Sequence, residues 1–482
     1  MKQRNSYDYI IVGAGPSGLV CAYELQKRGF TCLIVDRDNS VGGLSKSVRY
    51  EKQNDCHIFD TGPKRFHSDD QVVIDFLNEI SSFSVIGRST EVFFGNRFLE
   101  WPLRTSQIPL LPKSIALKTA LDLIQKLSKQ QDNAERVHNP SRSSEETSFK
   151  SYILEKYGKT LFESFFRPYT EKFLRWDVED IHADWASTGI NRTVIDERVD
   201  ATSSLAILKG LILPKKNETN FLYPTEGGFG GFFENLYQKI ISNKTYARVE
   251  LNSCPTLVQT LKNQQISMKL DSSPEEFIAV RGVVWTGNLN DLSKLLGFSS
   301  KLNYLNTIFY DVIVPEDSIS RKRAQWTYIS DGRTLISRVT SMKEFNENTT
   351  PNGYYNLVAE VTDSQSFPVY FDSHKALSSK VVEELKAIGF INKKGFVDNI
   401  HSRPVRDTYP IYNLEYRNAF NIAHRKVKQF SKNIHLLGRS GAFWYNNSDH
   451  SIRMSLELVK KLSGETNKDF DYRGYFGGKP NH

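Results

Sequence analysis

The stretch "YIIVGAGPSGLVCAYELQKRGFTCLIVD", Tyr9 to Asp36, decides the fold class. Tyr9 to Val12 is an apolar, β-branched run of strand type; Gly13-Ala14-Gly15-Pro16-Ser17-Gly18 comes next, and Leu19, Ala22, Tyr23 and Leu25 then recur at helical spacing. After Gly29 a second apolar run ends in Asp36. Strand, glycine turn, helix and strand in this order predict a parallel βαβ unit that binds a dinucleotide. Gly13 makes the tight turn, Gly15 lets a pyrophosphate approach the backbone, and Gly18 lets the helix pack on the strand. The pyrophosphate then rests on the positive end of the helix dipole. Asp36, 23 positions after Gly13, receives ribose hydroxyls, which favours FAD or NAD over NADP.

Downstream, "DRDNSVGGLSKS" places Gly42 and Gly43 six residues beyond Asp36, where the backbone can approach the pyrophosphate a second time. That spacing favours FAD. At the other end of the chain, "LLGRSGAFWYNNSDHSIRMSLELVKKL", Leu436 to Leu462, runs from a Gly-Arg-Ser-Gly turn through aromatic and polar residues into a helix. Flavin reduction builds negative charge at N1 and O2, and the free N–H groups of a helix N-terminus stabilise it. Ser448, Asp449 or Ser451 is expected to cap that helix, and Arg439 is a fixed cation beside the turn. Trp444 and Tyr445 read either as core aromatics or as flanks of the ring.

The totals are those of a globular protein: 482 residues, 39% hydrophobic and 24% charged, enough for two domains. The net charge of +8 is spread over 63 basic and 55 acidic residues without a block of one sign, which gives no indication of a nucleic-acid partner. Cys21, Cys32, Cys56 and Cys254 show neither paired spacing nor a neighbouring histidine cluster, so no disulfide framework and no metal site are expected. No run is long enough to span a bilayer, and no signal-peptide block precedes Tyr7, so a cytoplasmic location is expected.

With the glycine motif, Asp36 and the Gly-Gly pair in place, the chain resembles the flavoprotein superfamily of protoporphyrinogen oxidases, amine oxidases and UDP-galactopyranose mutases. "FDTGPKRFH", Phe59 to His67, is similar to the segment that passes the isoalloxazine ring there, and its Lys64-Arg65 pair resembles the protoporphyrinogen-oxidase form; both cations read equally as solvated loop residues. "GRSGAFWYNNSDHSI" resembles the turn that closes the FAD site, and "YPTEGGFGG" the re-entry into the FAD domain. The resemblance implies noncovalent FAD, since no cysteine lies in the C-terminal segment. It implies cofactor contacts from Gly13, Gly15, Pro16, Ser17, Gly18, Asp36, Arg37, Gly42, Gly43, Leu44, Gly62, Pro63, Lys64 and Arg65. From the C-terminal turn it adds Gly438, Arg439, Tyr445, Asn447, Asp449, His450 and Ser451.

"LFESFFRPYTEKFLRWDVEDIHADWA", Leu161 to Ala186, is similar to the substrate helix of the mutases. Tyr169 matches the tyrosine that holds uridine there, but Leu174 stands where the tryptophan belongs, with Trp176 two positions on. The two arginines that clamp a diphosphate in mutases fall on Thr188 and Leu305 in this chain. Arg167, Tyr169, Lys172 and Arg192 are the candidates for an anionic substrate, with Arg97, Arg104 and Tyr328 as further ones; taken singly, each charged residue reads more simply as a solvated surface group.

The expected fold is α/β: a Rossmann-type FAD-binding domain from 1–90, 222–300 and 400–465, interleaved with a mixed α+β substrate domain from 91–221 and 301–399, and a tail from 466–482. Val92 to Leu103 reads as a hairpin turning at Gly95-Asn96, Ser114 to Leu127 as a helix, and Ser128 to Ser148 as a polar loop. The resemblance implies an FAD-dependent oxidoreductase of protoporphyrinogen-oxidase type, passing hydride to flavin N5 from a small anionic molecule such as a nucleotide sugar or glycan intermediate. A mutase without net redox, a porphyrinogen oxidase and a flavin-binding scaffold without catalysis remain alternatives. No catalytic acid or base can be named.

Overall fold

In the computed structural model the residues described are 5–52, 55–101, 110–119, 121–122, 125, 148–186, 219–243, 245–320, 322, 324–365, 368–471, 475–476 and 479–480. The opening stretch folds as β1 (Ser6–Val12), α1 (Pro16–Lys27) and β2 (Cys32–Val35). β1 and β2 run parallel from Tyr9↔Cys32 to Val12↔Val35. Ile10, Ile11, Leu33 and Ile34 are fully buried, as strands covered on both faces must be. Leu19, Val20, Ala22 and Leu25 form the buried stripe of α1.

The chain divides into two compact units. The first comprises Met1–Ile86, Asn220–Leu302 and Arg417–His482. It contains a hairpin of β3 (Ser47–Lys52) and β4 (Asp55–Asp60), then β5 (Asn220–Pro224) and α2 (Gly230–Ser242). The strands β6 (Ala247–Glu250), β7 (Pro255–Thr260), β8 (Ile266–Leu270), β9 (Ser273–Trp285) and β10 (Ile434–Leu436) complete its main sheet. The order is β7-β8-β9-β1-β2-β6, with β10 on β9. β9 runs parallel to β1 and delivers Trp285 and Thr286 beside the first glycine turn. α3 (Ser448–Leu462) ends the ordered core of this unit.

The second unit comprises Gly87–Thr219 and Asn303–Tyr416. Its sheet runs, edge to edge, 399–410, 304–315, 354–364, 338–341, 326–329, 90–94 and 97–100. The last two strands form the hairpin turning at Gly95 and Asn96, both at positive φ. One face buries Ile308, Val312, Val339, Leu357 and Val361 against Val381, Leu385 and Ile388 of the helix Ser378–Ile388. On the other face Tyr328, Arg338 and Glu360 lie in one row across three strands. The helix expected from Ser114 begins at residue 113; most of its continuation, with Arg104, Ser128 to Thr147, Thr188 and Arg192, lies outside the described residues. Among the described residues no helix is long and apolar enough to cross a membrane, and no group of three or more His, Cys, Asp or Glu residues could hold a metal ion.

Candidate functional site

Three glycine turns, remote in sequence, meet in the first unit. In the first, the Gly13 N–H donates to Val35 O at 2.7 Å, tying the turn to the end of β2. A Cβ on Gly18 would overlap the Gly13 carbonyl oxygen and lie 3.0 Å from its carbon, so glycine is what lets α1 sit on β1. Gly15 differs. Its φ is −79°, open to any residue, and a Cβ there would meet only Gly43 Cα at 3.9 Å. Nothing within the described protein requires glycine at 15. With Pro16 at the first helical position and no side chain capping α1, the first N–H donors of the helix are those of Ser17 and Gly18.

The second turn is bonded to the first. Gly42 N–H donates to Ala14 O at 2.9 Å, and a Cβ on Gly43 would come within 3.2 Å of Gly15 Cα. Asp36 lies beside both: its Oδ2 accepts from Ala14 N at 2.5 Å and its Oδ1 from Asp38 N at 2.8 Å. Each carboxylate oxygen takes one backbone donor there and retains a lone pair. Burial holds the Asp36 pKa above the ordinary carboxylate value, against the pull of those two N–H groups. Arg37 is exposed and Leu44 half-buried.

The C-terminal turn closes on both. Leu437 N–H donates to Trp285 O at 2.9 Å, and a Cβ on Gly438 would stand 2.6 Å from Ser17 Oγ. Ser45 and Ser448 share a hydroxyl hydrogen bond of 3.0 Å, and Ser455 Oγ donates to Ser17 O at 3.1 Å. The cap of α3 is Asn447, not Ser448, Asp449 or Ser451. Asn447 and His450 form a capping box in which His450 Nδ1 accepts from Asn447 N at 3.2 Å. The cap lies one residue before the first of those expected, so the helix starts at Ser448, which stands in its first turn, and Asp449, His450 and Ser451 are buried. Arg439 folds back on its own loop: Nε donates to Asn446 O at 3.1 Å, Nη2 to the same oxygen, and the guanidinium lies 5.2 Å from the Tyr445 ring centre. Trp444 is buried, 5.7 Å from the His450 ring.

The Gly62-Pro63-Lys64-Arg65 segment hangs from Asp60, a buried residue that the sequence reading did not single out. Its carboxylate accepts from Ser47 Oγ at 2.5 Å, Tyr223 OH at 2.6 Å and Phe229 N at 3.0 Å, binding β3, β5 and the entry to α2 together. Burial raises the Asp60 pKa, opposed by those donors and by the nearby Lys64. Arg65 donates to Pro63 O at 3.0 Å and stacks its guanidinium 5.0 Å from the Phe221 ring. Lys64 and Arg65 are both half-buried, which is less exposed than solvated loop cations.

Within the second unit the anion candidates separate. Arg167 is matched by three carboxylates, Glu163 at 3.4 Å, Glu171 at 3.7 Å and Glu179 at 2.8 Å. Lys172 is buried. Its ammonium donates to the carbonyls of Ile329, Asp331 and Ile336 at 2.6, 2.7 and 2.9 Å and to Thr334 Oγ1 at 3.0 Å. Both cations are engaged within the fold. Tyr169 is half-buried and stacks between Phe165 and Phe173, with Tyr328 edge-on at 5.9 Å. Burial, reinforced by Tyr328, raises its hydroxyl pKa well above the ordinary value. Leu174 and Leu305, at the two departures from the mutase pattern, are fully buried. Arg97 donates to Leu110 O at 3.1 Å.

A family model described as an NAD(P)-binding Rossmann-like domain matches residues 11–80. A probable UDP-galactopyranose mutase of Klebsiella pneumoniae is 28% identical over 176 residues, covering 36% of this chain and 42% of that protein, so the match spans less than half of the relative's length. A solved structure of reduced UDP-galactopyranose mutase superposes with a TM-score of 0.78 at 18% identity, over 96% of this chain and 95% of that one. A provisional protoporphyrinogen oxidase from Exiguobacterium sp. 255-15 does so with 0.68 at 14% identity, over 96% and 100%. The chain therefore has the α/β, Rossmann-containing fold of these proteins, as the sequence reading expects.

Proposed function

We propose that the protein is a flavoenzyme that binds FAD noncovalently in its first unit and acts on a nucleotide-linked sugar. The observation that carries the cofactor is the meeting of three glycine turns around Asp36 and the open backbone at Gly15. When bound, the flavin supplies an acceptor for hydride from a substrate C–H. The chain's own residues bind and orient it. Ser17 and Gly18 N–H groups receive the pyrophosphate, and Asp36 accepts from the adenosine ribose. The first turn of α3, fixed by Asn447 and His450, presents its N–H groups to negative charge on the ring. Lys64 and Arg65 hold the segment beside it.

Asp36 gives a direct test of the cofactor site. Asp36→Asn replaces one acceptor oxygen by a donor, so FAD affinity should fall about tenfold or more, the scale of one charge-assisted hydrogen bond. In the wild type, affinity should decline as pH drops through the raised Asp36 pKa, hence at higher pH than for an ordinary aspartate. Flavin fluorescence titrations across pH measure both.

A second reading, a mutase without net redox, is favoured by the likeness to UDP-galactopyranose mutase over both units. Against it stand Leu174 and Leu305, which cannot stack on uridine or pair with phosphate. Anaerobic titration with a panel of nucleotide sugars separates the two. Hydride transfer bleaches the oxidised flavin on mixing, whereas a mutase leaves the spectrum unchanged and converts UDP-galactopyranose only after reduction with dithionite. A flavin whose spectrum responds to no nucleotide sugar, in a protein without turnover in either state, would sink both readings.

A further inference from the structure

The chain mixes its charges along most of its length, with one long exception. From Tyr416 to Ser448 the sequence contains no Asp or Glu, while Arg417, Arg425, Lys426, Lys428, Lys432 and Arg439 are basic. Most of these cations fall on or beside the helix Tyr416–Phe430, which belongs to the first unit from Arg417 onward. Phe420, Ala423 and Val427 recur at helical spacing and are buried, which fixes the inner face of the helix. Asn421, Ile422, Arg425, Lys426 and Gln429 are exposed on the outer one. Lys432 follows the helix and is exposed. Asn433 ties that end to the turn between β7 and β8, donating to Gln264 O at 3.1 Å, and the same turn carries the exposed Lys262.

The fold accounts for only part of this charge. Lys428 donates to Ile434 O at 2.6 Å and Lys432 O at 3.1 Å, and so helps to close the carbonyl end of the helix. Lys426 lies 5.1 Å from the Phe298 ring centre. Arg425, Lys432 and Lys262 form no ion pair with a carboxylate among the described residues. Like charges one turn apart, as Arg425 and Lys428 are, oppose the helix rather than support it. Cations gathered on one surface without acids among them are complementary to something outside the chain that carries closely spaced negative charge.

We propose that this helix face docks the protein on an anionic lipid bilayer, with headgroup phosphates meeting Arg425, Lys426, Lys432 and Lys262 and Ile422 entering the interface. Ile422 is 40% exposed among these polar and basic side chains, an apolar group that a headgroup layer accommodates and a nucleic-acid backbone does not use. Tyr416 and Phe420 are buried and Phe430 is half-buried, so the helix offers no exposed Phe or Tyr for stacking on a base. Four cations hold by charge rather than by insertion, which makes the attachment peripheral and sensitive to salt.

The test is flotation of the full chain with vesicles of phosphatidylcholine alone, or with about one-quarter phosphatidylglycerol. Wild type should bind the anionic vesicles and not the neutral ones, and raising the salt about threefold should release it. R425Q/K426Q/K432Q should lose about a hundredfold in affinity, since each cation near the surface contributes about fivefold, while its melting temperature stays that of wild type. K380Q/K393Q/K394Q, which removes the same charge from exposed lysines of the second unit, should bind as wild type does. Ile422→Ser should weaken vesicle binding about threefold. Equal losses in the two triple variants reduce the effect to net charge and overturn the assignment to this helix. Wild type that ignores anionic vesicles overturns it as well, and so does wild type that binds an RNA or DNA duplex in preference to them.

Discussion

Gly18→Val should abolish flavin binding and destabilise the first unit, whereas Gly15→Ala should lose flavin while melting as wild type does. The two glycines stand three residues apart in one turn, yet their surroundings differ. At Gly18 the added atoms collide with the Gly13 carbonyl and come within 3.3 Å of Ile11 Cγ2, a backbone group and a fully buried side chain. Neither can rotate away, so α1 must lift from β1. Overpacking in a core costs about 1–3 kcal/mol, and a clash with backbone belongs at or above the upper end. Against a total stability of about 5–15 kcal/mol that is a large fraction. At Gly15 the backbone is unstrained and the Cβ position is open, so alanine costs the fold almost nothing. Its methyl group would occupy the space the pyrophosphate needs. Differential scanning calorimetry with flavin absorbance distinguishes these outcomes; a Gly15→Ala protein that retains full flavin would remove the case for phosphate at this turn.

Lys172→Met should be the most damaging single substitution in the second unit. The ammonium draws three carbonyls and a hydroxyl of residues 329–336 onto one point. Methionine fills the volume but donates nothing, leaving buried acceptors that cost about 1–3 kcal/mol each when unsatisfied. The expected loss is roughly 4 kcal/mol once partial rearrangement is allowed for. The effect has a pH signature. Burial pulls the Lys172 pKa down to about 7, with Asp331 and Glu384 opposing. Between about pH 7 and the ordinary lysine value the unfolded chain holds the extra proton, so wild-type stability rises with pH across that window. The gap between wild type and variant therefore widens from neutral to alkaline pH, as urea titrations at several pH values would register.

The βαβ unit was legible because its signal is local: one strand, one glycine turn, one helix and one acid, each within a few residues of the next. Gly42 and Gly43 were legible by spacing from Asp36, although the bond from Gly42 to Ala14 could not be read. The cap of α3 was misassigned within a polar run in which Asn446, Asn447, Ser448, Asp449 and Ser451 all have capping side chains; the choice of Asn447 depends on where tertiary packing starts the helix. Lys172 read as a candidate for an anionic substrate or as a surface cation, because helical periodicity carries no information about carbonyls more than 150 residues away. Asp60 and the Arg338–Glu360 pair were missed for a related reason. Their partners come from other strands, and a sequence does not declare its strand register.

The hydroxyl contact between Ser45 and Ser448 has a consequence for biosynthesis. The cradle uses the first part of the polypeptide and a helix that the ribosome translates only after residue 447. The nascent N-terminal βαβ unit can form early, but it emerges as a half-site lacking its final wall. On the proposed reading, FAD loads only after that helix has been made, and a message truncated before it should yield protein without flavin.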